Sequence, residues 1–217
     1  MRGAIFDMDG LLIDSERIWQ RVWHEIAAER GCTLPEDFPA QVCGTGGTQT
    51  RVVLRRSYPG EDPEEVLRTC SARVHALQEA GVPLLPGAET ILRGVKSLGY
   101  RVAVASSSPM DLIEQNLKRD GVMDCFDVLT AGKEAKNGKP APDVFLLAAE
   151  RLGLPAEDCW VFEDSRVGVE AGWRAGCRVV MVPNLVPADD RAREMAFAVC
   201  RDLNEAWDVV RRAEGQP

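Results

Sequence analysis

Histidine is scarce in this 217-residue chain: His24 and His75 are the only two, far apart and both within helical patterns. A histidine-based triad or metal cage is set aside, and both read as helix-surface residues. Disulfides are equally unsupported. The seven cysteines (Cys32, Cys43, Cys70, Cys125, Cys159, Cys177 and Cys200) are odd in number and include no Cys-x-x-Cys pair. They fit reduced thiols packed as small hydrophobes, not a cross-linked framework or a zinc site. No apolar run approaches the roughly 20 residues of a membrane span, no signal pattern precedes Asp7, and no cleaved leader is expected. Positive charge is not in excess either. With a formal net charge of −8, neither nucleic acid nor a membrane surface is expected as a partner, and an anionic ligand needs local cations. The expectation is a cytoplasmic monomer acting on a small molecule.

What is present is an ordinary globular composition, 45% hydrophobic and 28% charged, in a chain long enough for one large domain or a domain with an insert. After the apolar run Ala4-Ile5-Phe6, Trp19, Val22, Trp23, Ile26 and Ala27 follow helical spacing, with Ser15 as the expected N-cap and Gly31 as the stop. Further helical patterns cover 48–57 and a stretch opened by Asp62-Pro63 and closed by Gly81, a strong pair of boundary signals. The segment Val82-Pro83-Leu84-Leu85-Pro86-Gly87 then interrupts as a linker. Beyond it helices and apolar strands alternate, with strands at 101–105, 128–130, 160–162, 178–182 and, more weakly, 197–199. Alternation with uninterrupted apolar strands implies an α/β fold: a Rossmann-like parallel sheet core covered by helices on both faces. The all-helical stretch reads as a small all-α cap domain inserted after the first strand. Residues 1–14 and 83–217 form the expected core and 15–82 the cap, with a substrate crevice between them.

Three strand ends and one loop carry chemistry. The first runs into Asp7-Met8-Asp9-Gly10, the second into Ser106-Ser107-Ser108, and the 160–162 strand into Glu163-Asp164-Ser165. Between the last two lies Asn137-Gly138-Lys139-Pro140, before a proline-opened helix. In a parallel sheet these ends share one edge, where ligands bind. Each piece has a plainer reading: a solvated turn for Asp-x-Asp, an N-cap for Ser106, a loop charge for Lys139, a helix-dipole partner for Asp164. Together they suit phosphoryl transfer. A carboxylate attacking a phosphate needs cations, and Asp7, Glu163 and Asp164 offer hard oxygen ligands suited to Mg²⁺. Lys139 and the Ser106 hydroxyl can address the phosphoryl oxygens, and Asp9 can serve as acid and then base.

These motifs, with Leu11-Leu12-Ile13-Asp14-Ser15-Glu16 and Gly138-Lys139-Pro140-Ala141-Pro142-Asp143, occur in the order found in the haloacid dehalogenase superfamily. The chain resembles its branch with a small helical cap, which includes β-phosphoglucomutase and sugar-phosphate phosphatases. The resemblance implies Asp7 as nucleophile, Asp9 as acid/base, and Ser106, Ser107 and Lys139 as phosphate ligands. It implies Mg²⁺ held by Asp7, the Asp9 carbonyl and Asp164, with Glu163 beside it, and hinges at Asp14-Ser15 and near residues 83–87.

Mutases of this branch carry a histidine shortly after the first motif and a cationic cap loop that grips a second phosphate. Here Trp19 stands at the histidine position and Cys43-Gly44-Thr45-Gly46-Gly47-Thr48 replaces the loop, with Arg51 the nearest cation. That glycine run matches neither a dinucleotide fingerprint nor a P-loop. Trp19, Gly46, Gly47 and Arg51 are the expected substrate contacts, and hydrolysis of a small phosphorylated metabolite, expected to be a sugar or polyol phosphate, is favoured over mutation. A metal-independent dehalogenase would not need Asp9 or the Glu163-Asp164 pair, and a non-catalytic binding protein would have lost one of the motifs.

Overall fold

The computed structural model describes residues 2–43, 45, 47–79 and 81–216. Among them, six parallel strands form one sheet in the order β3-β2-β1-β4-β5-β6. The strands are β1 (Gly3–Phe6), β2 (Arg101–Ser106), β3 (Val128–Ala131), β4 (Cys159–Glu163), β5 (Arg178–Met181) and β6 (Ala198–Val199). Successive side chains point to opposite faces. Ala4, Phe6, Val102, Val104 and Phe162 accordingly join one buried cluster, while Ile5, Ala103, Ala105 and Val161 join another. The first face is covered by α5 (Ala88–Ser97), α6 (Met110–Arg119) and α10 (Leu203–Ala213), the second by α7 (Asp143–Leu152), α8 (Arg166–Arg174) and α9 (Asp190–Met195). Burial on both faces is why these strands read as continuous apolar runs.

Between β1 and α5 lie α1 (Ser15–Glu29), α2 (Phe38–Val42), α3 (Gly47–Ser57) and α4 (Pro63–Glu79). These helices have an apolar cluster of their own, including Val22, Trp23, Phe38, Leu54, Tyr58 and Val66. The Tyr58 hydroxyl donates to the Trp23 carbonyl at 2.7 Å, so its buried polar end is satisfied. Two chain crossings join this insert to the sheet, and they hold each other. Ile13 bridges Leu84, the Asp14 N–H donates to the Pro83 carbonyl at 3.3 Å, and the Leu85 N–H donates to the Leu12 carbonyl at 2.8 Å.

Three local readings are corrected. Ser15 is not the N-cap: Asp14 holds that position without a side-chain cap, and Ser15 is the first helical residue. Helices α2 and α9 were not anticipated. Each spans one or two turns, too short for a periodicity to register. The Asp62, Pro63 and Gly81 boundary signals are used as expected: the Glu64 N–H donates to Asp62 Oδ1 at 3.1 Å, and Gly81 has φ of 109°.

Candidate active site

Register brings the strand ends together. Phe6 pairs with Phe162 in β4 and with Val104 in β2, so Asp7, Glu163 and Ser106 leave the sheet at neighbouring heights. The Asp7 N–H still donates to the Phe162 carbonyl at 3.0 Å. The chain then turns at Gly10, whose φ of 81° favours glycine. A Cβ there would also stand 2.3 Å from Asp164 Oδ2. Asn184, from the loop after β5, donates to the Gly10 carbonyl at 3.0 Å and fastens the turn.

Lys139 reaches between two carboxylates. Its Nζ donates to Asp7 Oδ1 and to Glu163 Oε1, both at 2.5 Å, and lies 4.9 Å from the centre of the Phe145 ring. All three charged residues are buried. Burial by itself would lower the Lys139 pKa, but the Asp7 and Glu163 carboxylates outweigh it and hold the ammonium above its ordinary value. Asp7 is pushed well up by burial, partly offset by Lys139. Glu163 has both oxygens engaged, since Oε2 accepts from the Ser165 N–H at 3.0 Å and the Ser165 hydroxyl at 2.9 Å. It orients the ammonium.

Asp9 sits in a cradle of hydroxyls. Ser15 donates to Oδ1 at 2.7 Å, while Ser106 and Ser108 donate to Oδ2 at 3.0 and 2.7 Å. The Ser106 hydroxyl also accepts from the Ser108 N–H. Ser106 is therefore no helix cap, and of the serine run Ser107 and Ser108 both face the cleft. Asp164 differs from its neighbours. Its buried carboxyl takes no hydrogen bond among the described residues, and burial, with the nearby Glu163 and Asp7 charges, pushes it well above the ordinary range.

A cleft of about 450 Å³ opens above these groups, between the sheet edge and the helical insert. Trp19 and Trp23, stacked with centroids 5.4 Å apart, form one wall with Leu67. Thr45, Thr50, Ser71, His75 and Lys133 supply polar groups, and Glu16 lies at the base beside Asp9. Trp19 thus reaches the cleft. Arg51 pairs instead with Glu64 and does not line it. Gly47 opens α3, and Gly44 and Gly46 lie outside the described residues. Sequence reasoning missed Glu16, Ser108, Asn184, Lys133 and His75 as contributors. Leu67, Ser71 and His75 recur every four residues along α4, a signal that could have identified that helix's second inward face.

The donor set can be tested against a metal. No three Asp, Glu, His or Cys side chains among the described residues close into a metal cage. Mg²⁺ does not require one: it binds through one or two carboxylates plus waters and substrate phosphate oxygens. Asp7 and the donorless Asp164 are hard oxygen ligands of that kind, and they fit.

Residues 4–182 match the haloacid dehalogenase-like hydrolase family. Hexitol phosphatase B of Escherichia coli is 35% identical over 92% of this chain and 95% of its own. The phosphorylated carbohydrates phosphatase of Thermotoga maritima is 34% identical, covering 81% of this chain and 82% of its own. A crystal structure of a hydrolase of this family from Deinococcus radiodurans, with bound phosphate and sodium, superposes with a TM-score of 0.78 at 27% identity, covering 99% of this chain and 96% of that one. No helix among the described residues is long and apolar enough to cross a membrane.

Proposed function

The chain belongs to the haloacid dehalogenase-like hydrolase family and is a phosphoric monoester hydrolase, and on that premise we propose that it hydrolyses a small sugar or polyol phosphate with Mg²⁺, through a phosphoryl group carried on Asp7. The observation that carries this reading is the pairing of Asp7 with Lys139 at 2.5 Å, beside an Asp9 held by three hydroxyls. That pairing supports Asp7 as the group that attacks phosphorus, with the ammonium neutralising charge on the phosphoryl oxygens. Asp9 gives its proton to the departing oxygen, then removes one from the water that cleaves the Asp7 adduct. Asp7, Asp164 and the Asp9 carbonyl would hold Mg²⁺, which when bound would supply positive charge against the phosphate and favour ionised Asp7. Glu163 serves by fixing Lys139.

The insert, residues 15–82, acts as a cap that closes the cleft and selects the organic group. Its described lining residues include His75 but no Lys or Arg. A bisphosphate intermediate therefore lacks a strong second anchor on that side, which favours hydrolysis over phosphoryl transfer within the substrate.

Phosphate release from a panel of sugar and polyol phosphates, with Mg²⁺ and with excess chelator, tests the reading. Turnover is expected only with the metal, and Asp7→Asn is expected to be inactive. Asp9→Asn is expected to accumulate a phosphoryl adduct on Asp7, visible by mass spectrometry. Full turnover in chelator, or by Asp7→Asn, refutes the mechanism. Incubation with β-glucose 1-phosphate and catalytic glucose 1,6-bisphosphate should release free phosphate, and build-up of glucose 6-phosphate ahead of it would favour a mutase.

A further inference from the structure

The chemistry above uses Asp7, Asp9, Glu163 and Asp164, and leaves a fifth carboxyl without a task. Glu16 is only 9% exposed yet faces the cleft. It follows Ser15, whose hydroxyl reaches back to Asp9, so its own carboxyl stands beside the group assigned to the departing oxygen. One oxygen, Oε2, accepts from the Cys43 thiol at 3.3 Å. A thiol is a weak donor. The other oxygen has no donor among the described residues, and the charges that shape its surroundings, Asp9 and Glu163, are both negative. Burial pushes the carboxyl up to about 7, with the thiol opposing and those neighbours adding to the rise. A buried acid among acids costs stability unless something that enters the cleft satisfies it.

We propose that the free oxygen of Glu16 hydrogen-bonds a hydroxyl on a carbon close to the phosphoester oxygen, selecting polyol and sugar phosphates over esters that lack it. The position follows from the lining of the cleft: Asp9 and Glu16 both border it, and Asp9 is held by Ser15, the residue before Glu16. Trp19 and Trp23 give those carbons an apolar wall, and the Glu16 carboxyl is the polar group beside it. This rests on the phosphatase reading above and names which part of the organic group the enzyme recognises.

The test compares sorbitol 6-phosphate with n-hexyl phosphate, which share a six-carbon chain and differ in the hydroxyls, and adds p-nitrophenyl phosphate as a hydroxyl-free ester. The wild-type protein is expected to favour sorbitol 6-phosphate over n-hexyl phosphate in kcat/KM. Glu16→Gln and Glu16→Ala are expected to lower the ratio of kcat/KM for sorbitol 6-phosphate to that for p-nitrophenyl phosphate by tenfold or more. The near-isosteric Gln variant carries the comparison should Ala fail to fold. A ratio unchanged in a folded variant, or no wild-type preference between the six-carbon esters, overturns the assignment. So does an equal loss on all esters that is reversed by more Mg²⁺, which would give Glu16 to the metal. Failure of the wild-type protein to hydrolyse even p-nitrophenyl phosphate with Mg²⁺ would overturn the phosphatase reading and this one with it.

Discussion

Gly168 lies in the first turn of α8, directly under the Glu163 carboxylate, and the consequence of filling that space can be worked out. A Cβ at Gly168 would stand 1.9 Å from Glu163 Cδ and Oε1 and 2.3 Å from Oε2. Ordinary contact begins near 3.4 Å, so the carboxylate must retreat by about 1.5 Å. Such a shift breaks its 2.5 Å contact with Lys139 and the bonds from Ser165. Alanine gains up to about 1 kcal/mol over glycine within a helix. Against this stand about 1.5–3 kcal/mol for a charge-assisted hydrogen bond and about 1–3 kcal/mol for overpacking. Gly168→Ala should therefore destabilise the fold by roughly 2–5 kcal/mol, a net of these same contributions. Phosphate release should fall at least tenfold as Lys139 loses one of its two anchors. Urea denaturation of a double-mutant cycle isolates the cause. In a Glu163→Ala background the collision is gone, and Gly168→Ala should be neutral or stabilising. An equal cost in both backgrounds, or none in either, refutes the reasoning.

Ser108→Ala removes one of three donors to Asp9 and should lower kcat severalfold with little change in KM; an unaltered kcat would detach the cradle from catalysis. Trp19→Ala should alter relative kcat/KM among esters, whereas Arg51→Ala, which loses only a surface pair with Glu64, should leave the ranking as it was. Glu134 is held down at about 2 by the Arg151 guanidinium and then by the Ala131 N–H. Its folded pKa lies below the ordinary 4.5, so its contribution is fully present above that value and is lost as pH falls towards 2. Urea midpoints of wild type and Glu134→Gln should differ by a constant amount near neutrality and converge in that acid window. The pair is about one-third exposed, so the gap should stay below about 1 kcal/mol; a gap that widens on acidification contradicts the pairing.

The sheet was legible because its strands are buried on both faces, and because Gly and Pro mark the ends of the longer helices. Three of the four motifs were legible because each sits where a strand stops, and the Lys139 motif because it leads into a proline-opened helix. What escaped depends on residues distant in sequence. The Ser15 hydroxyl turns away from the cap position because Asp9 is within reach. Glu16 resembles an ordinary first-turn acid until Cys43, 27 residues on, covers it. Arg51 looked like a phosphate ligand by proximity, yet Glu64, 13 residues on, claims it. Spacing along one segment records periodicity, and it does not record which partner a long side chain will choose.

The three serines around Asp9 have a consequence for timing. A hydroxyl hydrogen can rotate, so each serine can donate to a carboxylate or accept from a carboxylic acid without moving a heavy atom. A lysine or arginine in their place would bias Asp9 towards one protonation state and tax the other half of the cycle. With neutral, reversible partners, Asp9 can release a proton in one half-reaction of the proposed cycle and recover one in the next. The reset between them requires only spinning O–H bonds, not any rearrangement of the protein frame.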